Sequence, residues 1–418
     1  MVSLGFGMLY SAVQPFFRLQ FLLRLLALIC SKQAKAGENG NPEPAVYWSV
    51  STGGPIYSSP VIDQQFLVFG STDSSLYVVD HRSGKVAWTY KTGGAIRCTP
   101  YVRNGIAYFL SDDGKVYAVS IRSHARQWIC QTEGEARYPL YGYADYFHSS
   151  PVADDSTLYF GSGDGHVYAL RLSDGSLRWK FKTDAVVHGT GVISEGTLYI
   201  GSFDGNVYAL ATADGGLRWK FKTVGQTYFP RGEVQGTVAC FGDRLIVGAR
   251  DYNLYCLDAE GGTGLWNRQF RKGWAMGVPV IRDSIVYVGT SDDRLLLALD
   301  PFSGQAQWEA PVNFNVFGGA AFGDSVLYIG NLRGELLALE VETGKMRWKF
   351  TTPGGKEQWR KYLTASGEYR PDIQSIIQKG EDFVTMYHSM GAIFTTPTVS
   401  EGRIFFTSTD GSLYCLQP

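Results

Sequence analysis

Short apolar runs separated by glycine turns fill the chain from about residue 45 to its end, with no helical pattern between the copies. In the unit around residues 191–221, the β-branched and aromatic runs 197–200 (TLYI) and 207–210 (VYAL) flank Asp204 and Gly205, a preferred pair for a two-residue hairpin turn. Another apolar run, 191–193, comes before them. After a second glycine turn, residues 217–221 (LRWKF) alternate apolar and polar positions with the period of a half-buried strand. Each unit therefore predicts four antiparallel strands, A to D from inner to outer.

The same phrase recurs with its strand D tryptophan at 48, 88, 128, 179, 219, 266, 308 and 348, a step of about 40 residues that signals a solenoid, propeller or array. A four-stranded sheet cannot bury its apolar faces alone, and radial stacking into a propeller solves this while leaving only short edges. Residues 46–50 carry the tryptophan of a strand D with no A to C before it, whereas residues 394–416 supply A to C and stop without a D. The two deficits complete one unit. The prediction is an all-β, eight-bladed propeller over residues 45–418, its ring closed by the N-terminal strand completing the last blade.

Residues 1–44 lie outside the repeat and end in a polar Gly/Asn/Pro linker. The apolar stretch 16–30 is interrupted by Arg18 and Arg24, which argues against a membrane span and against the apolar core of an export signal. An organelle transit peptide, or a helix left from a larger upstream protein, is expected instead.

Three connections from strand D to the next strand A are extended: Trp128 to Pro151, Trp219 to Val238 and Trp348 to Pro397. All emerge on one face, around the channel mouth, and long loops on a rigid scaffold are where function concentrates. The first, 134–147, holds five Tyr and Phe residues and suits a binding surface; the third is expected to contain a short helix around 372–379. Near the start of strand A one column varies in chemistry: Tyr57, Arg97, His148, His188 and Gln235, then Met276, Phe317 and Phe394. It is expected to ring the channel mouth, its polar arc recognising a small anion or an acidic peptide.

Charge narrows the partners further. With 38 basic and 39 acidic residues there is no electrostatic footprint for nucleic acid. The six cysteines include no Cys-x-x-Cys and no His/Cys cluster with metal spacing. They read as small buried residues, Cys256 and Cys415 standing where other copies have alanine and Cys98 where Ser58 and Ser149 stand, and a reducing compartment is expected. No metal site and no catalytic motif can be assigned, and the Asp-Gly pairs at 113, 164, 204 and 410 read as hairpin turns rather than calcium loops.

The unit 198–210 (LYIGSFDGNVYAL) and the tryptophan strand after it resemble the pyrroloquinoline-quinone (PQQ)-type propeller repeat. The resemblance implies eight blades with tryptophans docked between neighbours. It does not carry over a quinone cofactor: the quinoprotein dehydrogenases have a vicinal cysteine pair, which this sequence lacks, and their calcium ligands and base map onto no positions here. The chain is most similar to the C-terminal propeller of eukaryotic acyl-activating enzymes of the β-alanine-activating and aminoadipate-semialdehyde type, which implies adenylation and carrier domains upstream. The expectation is a non-catalytic, cytoplasmic recognition or scaffold module without a cofactor, binding a protein or small acidic ligand at its extended-loop face. Two alternatives remain open: a divergent PQQ-dependent oxidoreductase, and a propeller lipoprotein of outer-membrane assembly, for which the residue before Cys30 is bulky.

Overall fold

The computed structural model describes residues 43–140 and 142–418, so the expectations for the N-terminal segment lie outside the described residues. The repeat unit folds as its pattern predicts: Val192–Ser194, Thr197–Gly201, Asn206–Ala211 and Leu217–Lys222 form strands A to D of one antiparallel sheet. Gly205 turns the B–C hairpin at φ 81°, in the left-handed region that a side chain disfavours. Eight such sheets are present among the described residues. Strands B and C are buried along their length, whereas strand D alternates exposed and half-buried positions.

A register shift recurs between strands C and D. In the unit above, Ala209 pairs with Trp219, and Leu210 with Leu217. The small residue therefore sits across from the indole, which explains the alanine of the phrase. Cys256 opposite Trp266 and Cys415 opposite Trp48 fill the same position. Both cysteines are free. Cys98 likewise does the work of a serine: its Sγ accepts the Leu110 amide at 3.3 Å, as Ser58 Oγ accepts Gly70 and Ser149 Oγ accepts Gly161, each at 3.0 Å.

Most of the tryptophans lock one blade to the next. Trp179 Nε1 donates to the Thr212 carbonyl of the following blade at 2.9 Å, and its ring covers Gly215, where a Cβ would lie 2.7 Å from the indole. Trp128, Trp219, Trp266 and Trp308 repeat both contacts. The hairpin aspartates bridge blades too: Asp204 accepts the Tyr208 hydroxyl at 2.6 Å from its own strand C and the Asp184 amide at 3.1 Å from the preceding connection. The Asp-Gly pairs at 113, 164 and 204 are thus hairpin turns and clasps at once.

The long connection after strand D of the seventh blade departs from expectation. Helix α1 spans Pro353–Glu357 and helix α2 spans Gly380–Ser389, while residues 372–379 hold only the 3-10 turn Ile373–Ser375. The helix starts late because Asp382 accepts the amides of Gln378 and Lys379 at 2.9 and 3.0 Å, capping the first turn from within it. Its inward side chains, Met386 and Tyr387, are buried.

Strand Val46–Ser51 pairs antiparallel with Ser412–Leu416 and closes the ring. Trp48 then covers Gly84 of the first blade. Deleting residues 45–51 would leave the last blade without its outer strand and an unclosed seam. The melting temperature should fall by about 5–10 °C; an unchanged thermal transition would refute the role of this strand as a closure.

Candidate functional site

The varying column and the residue two further on lie in the extended segment that leads into each strand A, as His188 and Thr190 precede Val192–Ser194, and both columns face the axis. The structure brings all eight members of the column to one cavity of about 370 Å³. The second column is Ser59, Thr99, Ser150, Thr190 and Thr237, with Thr396 in the last blade. It builds a belt from blade to blade: the amides of Ser59, Thr99, Ser150 and Thr396 donate to Thr99 Oγ1, Ser150 Oγ, Thr190 Oγ1 and Ser59 Oγ at 3.0–3.1 Å. Gly319 N donates to Thr396 Oγ1 at 2.8 Å. The belt ties the inner rim from the seventh blade through the last and round to the fourth. Its signal was present in the sequence, a Ser/Thr column two residues beyond the varying one.

The varying column rings no open mouth. Every member is at most 7% exposed, because the extended loops close over it. Tyr57 and His388 of α2 are hydrogen-bonded at 2.7 Å, and the Tyr57 and Tyr146 rings stack at 6.2 Å. Tyr146 packs on Phe394 at 4.8 Å, and Tyr138 turns inward against Phe203, also at 4.8 Å. Tyr138 and Tyr146 of the first loop are therefore plug rather than outward binding surface. The physical reason is area: an aromatic ring buries roughly 150–250 Å², and the channel end is the nearest apolar surface that can take it.

Under the plug the polar arc meets carboxylates. Arg97 Nε donates to Asp112 Oδ1 at 3.0 Å and its Nη1 to the Asp145 carbonyl at 2.7 Å. His188 donates from Nδ1 to Asp145 and from Nε2 to Glu135, both at 2.8 Å. His148 Nε2 lies 2.7 Å from Asp112 Oδ1 and 3.3 Å from Glu135 Oε1, at angles that fall short of a directed hydrogen bond. Gln235 donates to the Ala144 carbonyl at 3.2 Å and accepts from Arg250 Nη2 at 2.6 Å. Arg250, fully buried, lies between the rings of Phe203 and Trp274, each 5.0 Å away.

These contacts set the charges. Burial opposes the ionised state of each group, yet the neighbours outweigh it. Asp145 and Glu135 raise the His188 pKa to about 9. His148 and Arg97 hold Asp112 down to about 2, and the two histidines hold Glu135 well below the usual carboxylate range. His188 is thus a cation and the acids are anions near neutrality. The arc that was expected to meet an anion spends its cations on internal carboxylates. Among the described residues no group of three or more His, Cys, Asp or Glu is arranged to hold a metal ion.

Sequence reasoning missed Asp112, Glu135, Asp145 and Arg250. Asp112 and Arg250 each precede the aspartate of a B–C hairpin, a position also filled by Thr72, Gly163, Phe203, Asp292 and Thr409. That variation, inside an otherwise repetitive turn, was the available signal. Glu135 and Asp145 stand in a loop that has no counterpart in other units, so repetition could not reveal them.

The network predicts a pH window. His188 has its pKa raised from 6.5, so its contribution is full below pH 6.5 and is lost as pH rises through about 9. The carboxylates have theirs lowered, so their contribution is present above their ordinary values of 3.8 and 4.5 and is lost as pH falls toward 2. Raising pH from 6 to 9.5 should cost on the order of 2–3 kcal/mol of stability, read as a fall in melting temperature. His188→Gln should flatten that alkaline slope; a slope equal to that of the unmodified chain would rule out His188 as its source.

Comparison with known proteins agrees with this architecture. The family model described as outer membrane protein assembly factor BamB matches residues 40–183, 144–230, 204–358 and 295–418. The chain is 32% identical over 80 residues to outer membrane protein assembly factor BamB of Nitrosomonas eutropha, 19% of either chain. It is 40% identical over 60 residues to lanthanide-dependent methanol dehydrogenase of Methylorubrum extorquens, 14% of this chain and 10% of that one. These matches thus span a small part of the relatives' own length. The crystal structure of BamB from Moraxella catarrhalis superposes with a TM-score of 0.66 at 15% identity, covering 90% of this chain and all of that one, a likeness of fold alone. With its repeats matched from residue 40 to the end, the chain belongs to the BamB-type family of PQQ-like propeller repeats.

Proposed function

We propose that this propeller is a non-catalytic recognition scaffold that takes part in outer-membrane protein assembly by binding a partner protein on its extended-loop face. The supporting observation is how two of the extended loops are joined. Tyr138 OH donates to Glu233 Oε1 at 2.8 Å, linking the first loop to the second. Around that link Leu140, Val224 and Tyr228 stay 60%, 76% and 70% exposed. Large apolar side chains held outward on an anchored rim suit a protein interface, where aromatic residues are enriched. The family's description supplies the process.

This reading carries an envelope location with it, in place of the cytoplasmic one expected from the sequence, and it replaces the acyl-activating attribution, which rests on repeat similarity alone. Among the described residues no helix is long and apolar enough to cross a membrane.

The test is complementation. Residues 45–418, carried by the host's own export leader, should restore outer-membrane protein levels in a bacterium lacking its BamB. The variant Leu140→Asp, Val224→Asp, Tyr228→Ser should keep its melting temperature and lose at least about tenfold of that restoration, as truncated interface anchors do. No restoration by the unmodified chain would sink the assembly reading, and full restoration by the triple variant would move the interface elsewhere.

A further inference from the structure

The second column of the channel wall carries hydrogen-bonding capacity that the fold leaves over. Ser59, Thr99, Ser150, Thr190 and Thr396 each accept one belt amide through the side-chain oxygen. A hydroxyl has one O–H to donate and two lone pairs, so each keeps its proton and one lone pair. Among the described residues none of them donates to a protein acceptor, whereas Thr398, two residues beyond Thr396, donates its hydroxyl to the Pro60 carbonyl. All five line the axial cavity and are half-buried.

The belt also fixes their spacing. Thr99 Oγ1 lies 3.1 Å from the Ser59 amide, and covalent geometry keeps that amide within about 3.7 Å of Ser59 Oγ, so the two hydroxyl oxygens are at most about 7 Å apart. The same bound holds from Thr99 to Ser150, from Ser150 to Thr190 and from Thr396 to Ser59. Hydroxyls hydrogen-bond to one another at about 2.8 Å, so one or two neighbouring ligand hydroxyls span each gap. Across the axis, four blades on from Thr99, Ser150 and Thr190, the wall is apolar: Met276 and Val278, Phe317 and Phe394.

We infer that this cavity binds a neutral polyhydroxylated ring of monosaccharide size, its hydroxyls on the belt and its C–H face against the apolar wall. A ligand hydroxyl both donates and accepts, which answers the proton and the lone pair that each belt hydroxyl has left; a ketone or ether oxygen answers only the proton. Charge disfavours ionic ligands of either sign. Arg97 and His188 line the cavity and repel a cation, and both are already paired with internal carboxylates, Asp112, Glu135 and Asp145, which leaves no cation free for an anion. The volume of about 370 Å³ falls within the usual range for small-molecule sites. Because the loop end is plugged, entry is from the face of the A–B turns, opposite the proposed protein interface, so the two sites can be tested separately.

The probes are the methyl glycosides of glucose, galactose and mannose, titrated into the full chain by calorimetry or ligand-observed NMR. Methyl glucuronide is the charged control, and tetrahydropyran-2-methanol is the ring without its secondary hydroxyls. At least one glycoside is expected to bind with a Kd on the order of 1 mM, at least about tenfold tighter than either control. Thr99→Val keeps the shape of the side chain and removes its O–H, and should weaken that binding at least about tenfold, whereas Thr99→Ser should retain it. Val278→Phe fills the apolar wall without touching the belt, and should also weaken binding at least about tenfold with the thermal transition retained. Glycoside binding that is undetectable, no tighter than that of the controls, or unchanged in either Thr99→Val or Val278→Phe would overturn the assignment.

Discussion

Eight inner strands arranged in a ring cannot meet at their axis. With eight blades around it, the segments leading into the strands A send their side chains inward and still leave an axial cavity of about 370 Å³. The rest of the site follows from that unfilled axis. One end has been closed by loops whose aromatic residues have nowhere drier to go, Tyr146 against Phe394 and Tyr138 against Phe203. The elaboration of one rim, which looks like a display of binding loops in the sequence, is first of all a solution to packing.

Burying loops brings their polar groups along. Glu135 and Asp145 enter with the first loop, and a carboxylate removed from water needs a cation or several hydrogen bonds. His148 and His188 meet these two carboxylates, and Arg97 pairs with Asp112, from the segments that lead into three successive strands A. The polar arc is the counter-charge of the plug. Its opposite, Met276, Phe317 and Phe394, faces the apolar side chains of α2 and needs no charge. Two different covering segments, one acidic and one apolar, thus account for the two chemistries around a single ring.

The ring itself was legible because its signals repeat. Tryptophan spacing, Asp-Gly hairpins and the paired deficits at the two ends of the repeat each arise from a contact made in blade after blade, such as Trp179 on Gly215. Chemistry that occurs once has no such echo. Asp145 binds His188 across 43 residues, and Arg250 reaches the Ala144 carbonyl across 106. Neither pairing leaves a periodic trace. The helix around 372–379 was misplaced for a related reason: its start is fixed by Asp382 and by burial of Met386 and Tyr387 in the plug, and propensity alone does not register a tertiary contact.

A scaffold built from repeated contacts can vary its axis freely. The tryptophan lock and the hydroxyl belt hold the outer and inner rims without using the varying column, so a change at Arg97 or Phe317 leaves both intact. The lock buries aromatic surface worth on the order of 3 kcal/mol per blade, and the belt repeats a hydrogen bond worth about 1 kcal/mol net. Stability is therefore distributed around the ring, as in other repeat architectures where each unit depends on its neighbours. The two rims do not depend on the side chains at the axis, which leaves those side chains open to selection for what they contact. A cavity walled by a paired polar arc on one side and apolar side chains on the other is the product of that freedom.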